Sequence, residues 1–348
     1  MSESCCSGSS SCCGSAAPLK IVSIPSVATT LTAKDRWETV KVRLGIGRMN
    51  YKIDPGLYSA GKPNSSSPVL VSSNYKLTFD ALRKNLAGLD CWLVILDTKG
   101  VNVWCAAGKG LFGTDEVISR IKECGLSNLV THTKVILPQL GASGVNAQEV
   151  RRQTGFSVIF GPVRACDIKE FIASGFTATD QMRTVEFPLR DRAVLTPVEL
   201  VMAAQKSLLA FGVIFLLGLI AKRPFGAFDL ALYTGTIVIG TVITPLLLPL
   251  VPGKPFSWKG WLLGALWTAL MLWLFGWYAS APILAAGYLL LLPAVSAWFA
   301  LNFTGSSTYT SPSGVLKEMR IALPLIIGSA AIGAILILLQ ALFIGGTV

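Results

Sequence analysis

The sequence predicts an α/β domain followed by an all-α membrane domain of five transmembrane helices, and three observations carry that expectation. Of the 348 residues, 52% are apolar and only 14% are charged, with a mean hydropathy of +0.59, outside the range of an ordinary soluble chain. The charge is also divided unevenly: residues 1–199 hold 23 Lys and Arg with 17 Asp and Glu, whereas residues 200–348 hold 7 and 2. Finally, strand-like and helix-like patterns alternate between residues 68 and 172. The net charge of +11 is not gathered into a Lys/Arg stripe interleaved with aromatics, so nucleic-acid binding is a poor reading.

In chain order, residues 1–32 read as a disordered Ser/Cys-rich tail. Its start, MSESCCSGSSSCCGSAAP, has neither a basic n-region nor an apolar h-region, so no cleavable secretory signal is expected and the first half is placed on the cytoplasmic side. Residues 33–178 read as one domain. Thr32–Tyr58 alternates in short apolar pieces and closes on the turn signal Asp54-Pro55-Gly56, and residues 60–68 (AGKPNSSSP) resemble a linker. A strand at 69–71, an amphipathic helix at Phe79–Leu86, a strand at Trp92–Leu96 and a turn at Asp97–Gly100 follow. Thr114 is a candidate N-cap with Asp115 and Glu116 in the first turn, and Gly125 a candidate C′ residue. A buried strand Val135–Leu137, a Gly-rich loop at 141–144, a helix opened by Asn146 with Glu149 three residues on, a strand Phe156–Phe160 and a helix through Ile172 complete the pattern. The expected product is a Rossmann-like sheet with its loops gathered at one edge, where such folds bind ligands.

Residues 179–199 are expected to link this domain to the membrane half, 200–348. A spanning helix takes about 20 apolar residues. Five runs qualify, near 200–221, 228–250, 258–278, 281–303 and 321–344, the third and fourth parted by Ser280-Ala281-Pro282. Without that break, residues 258–303 would make one helix of roughly 69 Å, about twice the bilayer core. With the first half inside, Arg183, Arg190, Arg192, Lys254, Lys259, Lys317 and Arg320 are cytoplasmic, and only Lys222 and Arg223 face out. This places the chain as a multi-pass protein of the cytoplasmic (inner) membrane with its C-terminus outside. Six of the nine tryptophans (258, 261, 267, 273, 277 and 298) lie in this half, several near span ends, and read as interfacial anchors. A solute pathway would need paired ionisable residues or half-helices at mid-membrane. This half offers Lys206 near the start of its first span, Asp229 at the start of the second and Pro245 and Pro249 near its end, and it reads as an anchor with room for a binding groove.

The most informative stretch is Asn102–Lys109 (NVWCAAGK), with Val101 before it and Gly110 after it. It is not a P-loop, because Val103 stands where the first Gly is needed and Gly110 replaces the Mg²⁺-binding Ser or Thr, and it is not a dinucleotide fingerprint. It offers one cysteine followed by small residues just past a strand, where a large flat ligand can approach the backbone. By composition alone Cys105 is a buried small hydrophobe.

This segment resembles the cap-helix motif of the corrinoid protein of the bacterial mercury-methylation pair: Asn, Val or Ile, Trp, Cys, Ala, Ala or Gly, Gly, Lys. Arg43–Tyr51 (RLGIGRMNY), Pro55–Tyr58 (PGLY), Ser73–Thr78 (SNYKLT), Leu137–Gly141 (LPQLG) and Gly161–Arg164 (GPVR) are similar to the corrinoid-binding domain shared with the large subunit of the corrinoid iron–sulfur protein. Together these cover roughly residues 33–175, and the family's appended membrane domain matches the five spans. The resemblance implies a corrinoid-dependent methyltransferase that passes a cobalt-bound methyl group to Hg(II). It implies a cobalamin-like corrinoid bound base-off, with Cys105 as lower axial cobalt ligand and catalytic residue. A thiolate is a soft, electron-rich donor that suits transfer to a soft electrophile.

On the same resemblance, Val103, Trp104, Ala106, Ala107, Gly108 and Gly110 would lie along the corrin face, while Asn102 and Lys109 hold the cap in register. Asn74 joins them. Leu137, Pro138, Gln139, Leu140, Gly141, Gly144 and Val145, with Gly161, Pro162 and Arg164, form two loops placed to embrace the macrocycle, although ordinary turn chemistry explains them equally. The soluble relative carries an iron–sulfur domain, whereas Cys5-Cys6 and Cys12-Cys13 lack cluster spacing. No cluster is expected in this chain, so reducing electrons come from a ferredoxin-like iron–sulfur partner and the methyl group from a donor of the folate one-carbon pathway. The four tail cysteines read either as a dithiolate capture site for Hg(II) or as part of a disordered polar tail. Cys91, Cys124 and Cys166 read as core, and His132, the only histidine, as structural. Two other functions stay open: a corrinoid-binding membrane carrier or sensor, and a corrinoid methyltransferase with a different acceptor.

Overall fold

The computed structural model describes residues 24–220, 226–307, 309–310 and 312–344. Cys5, Cys6, Cys12 and Cys13 lie outside the described residues, as do Lys222 and Arg223. Ordered structure begins within the stretch expected to be tail, with β1 (Ser26–Val27) and then α1 (Ala33–Arg43). A capping box starts α1: the Asp35 N–H donates to Thr32 Oγ1 at 3.2 Å, and the Thr32 N–H donates to the Asp35 carboxylate at 2.9 Å. The box uses Asp where Glu or Gln is usual, and this helix escaped the apolar-period reading of Thr32–Tyr58.

The α/β half continues with β2 (Gly56–Ala60), β3 (Val69–Ser73), α2 (Lys76–Arg83), β4 (Cys91–Leu96), α3 (Val103–Gly108), α4 (Thr114–Glu123), α5 (Leu126–Leu129), β5 (Lys134–Leu137), α6 (Ala147–Thr154), β6 (Ser157–Phe160) and α7 (Ile168–Ala173). The six strands form one mixed sheet in the order β1-β2-β4-β3-β5-β6. β3, β4, β5 and β6 run parallel, and β2 is antiparallel to β4. Alternation along the strands divides the core in two. Val69, Val71, Val94, Leu96, Val135 and Leu137 meet α3, α4 and α6 on one face, while Leu70, Leu93, Ile95 and Ile136 meet α2 and α7 on the other. Every residue of β3 and β4 is buried, which is why these strands read as unbroken apolar runs.

Three local expectations change. Gly113, not Thr114, caps α4, because the Thr114 hydroxyl accepts the Asn146 N–H at 2.9 Å. The loop at 141–144 belongs to a 3₁₀ turn, Gln139–Gly144. The helix expected at Phe79–Leu86 lies earlier, at Lys76–Arg83, where Lys76 and Asp80 pair at 2.9 Å and Arg83 and Asp80 at 2.7 Å. Asp35 joins this cluster through Lys76 and Arg83, each at 2.9 Å, and so fastens α1 to α2. His132 is structural: its Nδ1 accepts the Lys134 N–H, which leaves Nε2–H to donate to Ser67 O at 2.9 Å.

After α8 (Asp180–Arg183), α9 (Leu189–Ile220) runs through Pro197, so the expected linker is helical from Leu189 onward. Then come α10 (Ala227–Val238), a π-helical turn Ile239–Ile243, α11 (Thr244–Leu247), α12 (Phe256–Leu274), α13 (Trp277–Ser280), α14 (Pro282–Asn302) and α15 (Pro312–Leu339). Among the described residues, Ala227–Leu247, Pro282–Gly305 and Ser313–Leu342 are long and apolar enough to cross a membrane. The helix α12, which carries Lys259 and four tryptophans, is not one of these three. The chain leaves α12 at Gly276, whose φ of +69° requires the left-handed region, and restarts at Pro282 after an extended Ala281.

Close packing of α12 on α14 rests on Gly260 and Gly264. A Cβ on Gly260 would come within 2.4 Å of the Ala300 Cβ, and one on Gly264 within 2.6 Å of the Ser296 Cβ. This small-xxx-small spacing lets backbones approach in an apolar bundle. Three buried ionisable groups here have partners: Asp229 accepts from the Gly226 N–H and the Tyr288 hydroxyl, Lys259 donates to Leu248 O, and Arg192 to Pro245 O and Leu246 O. The polar equipment missing from the sequence reading is gathered in part: Glu199, Lys206, Thr241 and Asn302 line a cavity of about 180 Å³ beside the π-helical turn.

Candidate functional site

The four parallel strands stand in the order β4-β3-β5-β6. Connections therefore wind one way from β3 to β4 and the other way from β5 to β6, and such a reversal leaves a crevice at the carboxyl ends of the two central strands. A cavity of about 440 Å³ occupies this place, floored by Leu70–Ser72 of β3 and Ile136–Leu137 of β5. Of the residues singled out in the sequence, Asn102, Val103, Trp104, Leu137, Pro138, Leu140, Gly161 and Pro162 line it together. Tyr75, Leu77, Thr78 and Ala81 complete the wall from the start of α2. The sequence signal for Tyr75, Leu77 and Thr78 was the SNYKLT run that begins at the last residue of β3, from which Asn74 alone was singled out, and Ala81 lay in the amphipathic pattern at Phe79–Leu86.

The short helix α3 is held by a chain of side-chain bonds. Asn74, 1% exposed, accepts the Thr98 and Gly100 N–H groups at 3.2 and 2.9 Å, and its amide donates to Asp97 at 3.0 Å. Thr98 Oγ1 lies 2.6 Å from Val101 O. Asn102 then caps α3, its Oδ1 accepting the Cys105 N–H at 2.9 Å. Asn74 is thus committed to the loop ahead of the helix and does not line the cavity.

Cys105 follows Trp104 on α3 as a half-buried free thiol, one residue beyond the cavity lining. Ala106 and Ala107 point inward, into the core shared with Phe112, Leu137 and Val145. A Cβ on Gly144 would approach Phe112 O to 2.3 Å and the Ala107 Cα to 3.1 Å, and one on Gly141 would strike the Phe112 ring. The small residues of both segments therefore serve the fit of α3 against the turn Gln139–Gly144. Gly108, Lys109 and Gly110 are exposed at the end of the helix. Arg164 turns away from the cavity to Asp191 at the start of α9, at 3.2 Å. Cys91 is fully buried, which pushes its thiol pKa up to about 12; Cys124 is half-buried, and Cys166 is exposed rather than core.

Three buried polar atoms near the cavity have no hydrogen-bond partner: Ser73 Oγ, Tyr75 OH and Gln139 Oε1. Buried polar groups are paired in the great majority of cases, and each orphan costs about 1–3 kcal/mol. Their position after β3 and β5 marks a rim where a bound molecule with polar edges would recover that energy. Burial pushes the Tyr75 phenol pKa up, while Arg48 and Arg43 draw it back.

Residues 46–172 match the family described as CO dehydrogenase/acetyl-CoA synthase delta subunit. Among curated relatives, the gamma subunit of the acetyl-CoA decarbonylase/synthase complex of Methanopyrus kandleri is 32% identical over 123 residues, covering 35% of this chain and 26% of that protein. The corresponding subunit of Methanocaldococcus jannaschii is 29% identical over 126 residues, or 36% and 25% of the two chains. Gamma subunit 2 of Methanosarcina mazei is 37% identical over 94 residues, or 26% and 20%. The chain spans about a quarter of the length of these relatives. The matched region runs from the segment after α1 to α7 and contains the whole cavity, so the α/β half is related to subunits of this enzyme complex.

Proposed function

We propose that the α/β half is a Rossmann-like corrinoid-binding domain and that the protein is a corrinoid-dependent methyltransferase acting on Hg(II). The observation that carries the reading is the cavity at the β3/β5 switch point, walled by Asn102, Val103 and Trp104 with Cys105 next on the same helix. The residues present fit such a group. A corrin is a broad apolar disc edged with amides; the cavity floor is aliphatic, and Ser73, Tyr75 and Gln139 hold unmet hydrogen-bonding capacity for such edges. Bound base-off, the corrinoid would supply a methyl group carried on cobalt, a metal for which a soft thiolate is a suitable donor.

The chain's own residues do the positioning. Asn102 fixes the first turn of α3, Asn74 fixes the loop before it, and Ala106, Ala107, Gly141 and Gly144 let the helix settle against the neighbouring turn. Cys105 would be the residue that holds the metal, with Gly108, Lys109 and Gly110 on the exposed end of the cap. Leu140 on one side and Gly161 and Pro162 on the other frame the opening, with Gln139 next to Leu140 and Val145 in the core behind them, while Arg164 ties that frame to α9. In this reading α9, α10 with α11, α12, α14 and α15 are five spans that anchor the domain on the cytoplasmic side of the inner membrane. A ferredoxin-like iron–sulfur protein returns electrons, and a folate-pathway donor supplies the methyl group.

The test uses membranes containing the full chain and a ferredoxin-like partner, supplied with methylated corrinoid and Hg(II). Methylmercury formed by the wild type and lost in Cys105→Ala, with corrinoid retained by both, supports the enzyme. A wild type that holds corrinoid yet forms no methylmercury removes the mercury reading in favour of a carrier or another acceptor.

A further inference from the structure

Helix α1 turns an apolar and basic surface to solvent. Trp37 and Val40, about one turn apart, are 59% and 45% exposed, and Ile46 in the loop that follows is 60% exposed. Lys34, Arg36 and Lys41 are exposed around them, and the Lys41 ammonium lies 5.8 Å from the centre of the Trp37 ring. The two acidic residues of the helix are on the side turned to α2: Asp35 pairs with Lys76 and Arg83, each at 2.9 Å, and Glu38 approaches Lys76 at 3.6 Å. Among the described residues, Lys34, Arg36 and Lys41 form no ion pair. The outward face therefore carries charge of one sign only.

This surface runs up to a membrane boundary. The Arg43 guanidinium donates to Val194 O at 3.4 Å, and a Cβ on Gly45 would lie 3.7 Å from Val198 Cγ2, so the end of α1 and its loop rest on α9. The same part of the chain is fastened to the ends of two segments long and apolar enough to cross a membrane, Ala227–Leu247 and Pro282–Gly305. Arg192 donates to Pro245 O and Leu246 O, and Phe187 joins Leu248 and Phe303 in a buried cluster against which Leu195 packs.

An exposed apolar patch ringed by charge of one sign marks an interaction surface. A tryptophan among aliphatic groups, with Lys and Arg beside it, suits a headgroup layer: the ring is amphipathic, the long stems snorkel, and the cations meet anionic lipid. We infer that α1 and the loop after it form an interfacial foot, which docks the α/β half onto anionic lipid of the adjoining leaflet. Tethering decides for lipid over a soluble acidic protein, because a surface held beside the span ends meets headgroups at high effective concentration. Since Asp35 fastens α1 to α2, and α2 walls the cavity, docking also fixes how the cavity is turned relative to the membrane. This holds whatever the cavity binds.

The experiment is hydroxyl-radical footprinting of the full chain in nanodiscs, made of phosphatidylcholine alone or mixed with phosphatidylglycerol. Oxidation of Trp37 is read by mass spectrometry and normalised to His132, which lies ahead of β5. Docking moves a ring that is 59% exposed into the headgroup layer, so Trp37 should be oxidised about threefold or more slowly in the anionic discs. The difference should vanish in about 1 M salt, where the screening length is about 3 Å, and in K34E/R36E/K41E at low salt. Equal oxidation of Trp37 in the two kinds of disc at low salt overturns the inference. Protection that is the same in both and indifferent to salt also overturns it, assigning the face to another copy of the chain. Protection that appears only when an acidic ferredoxin is added overturns it in favour of a protein partner. If the triple variant does not fold, the salt series decides, because it uses the wild type.

Discussion

Replacing Asn74 with alanine should loosen the loop that carries α3 while leaving the sheet intact. Asn74 Oδ1 accepts the Thr98 and Gly100 N–H groups, and its Nδ2 donates to Asp97. The Thr98 hydroxyl has a single proton, for Val101 O at 2.6 Å or Asn74 Oδ1 at 2.9 Å, so it is not counted among the losses. The Thr98 N–H also donates to Leu96 O at 3.1 Å and keeps that partner, so two lost bonds at about 1 kcal/mol each come to about 2 kcal/mol of local stability, and more if the Gly100 donor stays dry. Amide exchange read on a peptide spanning residues 97–101 reports the opening directly: about 2 kcal/mol corresponds to roughly thirtyfold faster exchange at Gly100. Asn74→Asp keeps an acceptor but faces a carboxylate with Asp97, so its protection at Gly100, corrected for the intrinsic exchange rate, should fall between wild type and alanine and rise as the pH drops. Exchange at Gly100 within about threefold of wild type in Asn74→Ala would refute the reasoning.

The packing of α3 is tested by Gly144→Ala, whose new Cβ meets backbone atoms of Phe112 and Ala107 and should cost about 1–3 kcal/mol in thermal unfolding. Gly108→Ala meets nothing within 4 Å and should gain about 0.4–1 kcal/mol. In the membrane half, Gly264→Leu drives a side chain into Ser296 and Pro293 and should lower the thermal midpoint in nanodiscs; an unchanged midpoint would show that α12 and α14 do not rely on that approach. Native iodoacetamide labelling at pH 8 followed by mass spectrometry should modify exposed Cys166 and spare Cys91, whose buried thiol is pushed up to about 12. For Asp35, burial alone would raise the carboxyl pKa, but bonds from Lys76, the Thr32 N–H and Arg83 outweigh it and hold the group well below the usual range. The unfolded chain therefore takes up this proton first, so stability is lost as pH falls below about 4. Asp35→Asn should flatten that acid limb between about pH 4 and 2 in thermal melts.

Features set by local composition were legible in the sequence. Long apolar runs mark helices near their observed places in the second half, because transfer of a segment out of water depends on its own side chains. The buried strands β3 and β4, the Asn146 cap of α6 and the left-handed Gly125 were readable for the same reason: each depends on residues within a few positions of one another. The cap motif pointed to α3, and its first three residues do line the cavity. Helix α1 was hidden because its start depends on an uncommon Asp-based box rather than on apolar period.

What only the tertiary structure decided are partnerships across long sequence separations. Asn74, read as a ligand contact, is consumed by a loop 24–26 residues away. Arg164, expected at the macrocycle, pairs with Asp191. Ala106 and Ala107 spend their smallness on Gly144 and Phe112 rather than on the cavity. The orphaned hydroxyl of Tyr75 likewise shows only once the neighbours are in place. A side chain's type states which bonds it can make, but the chain's path determines which partners arrive, and a buried polar group must accept whichever partners those are.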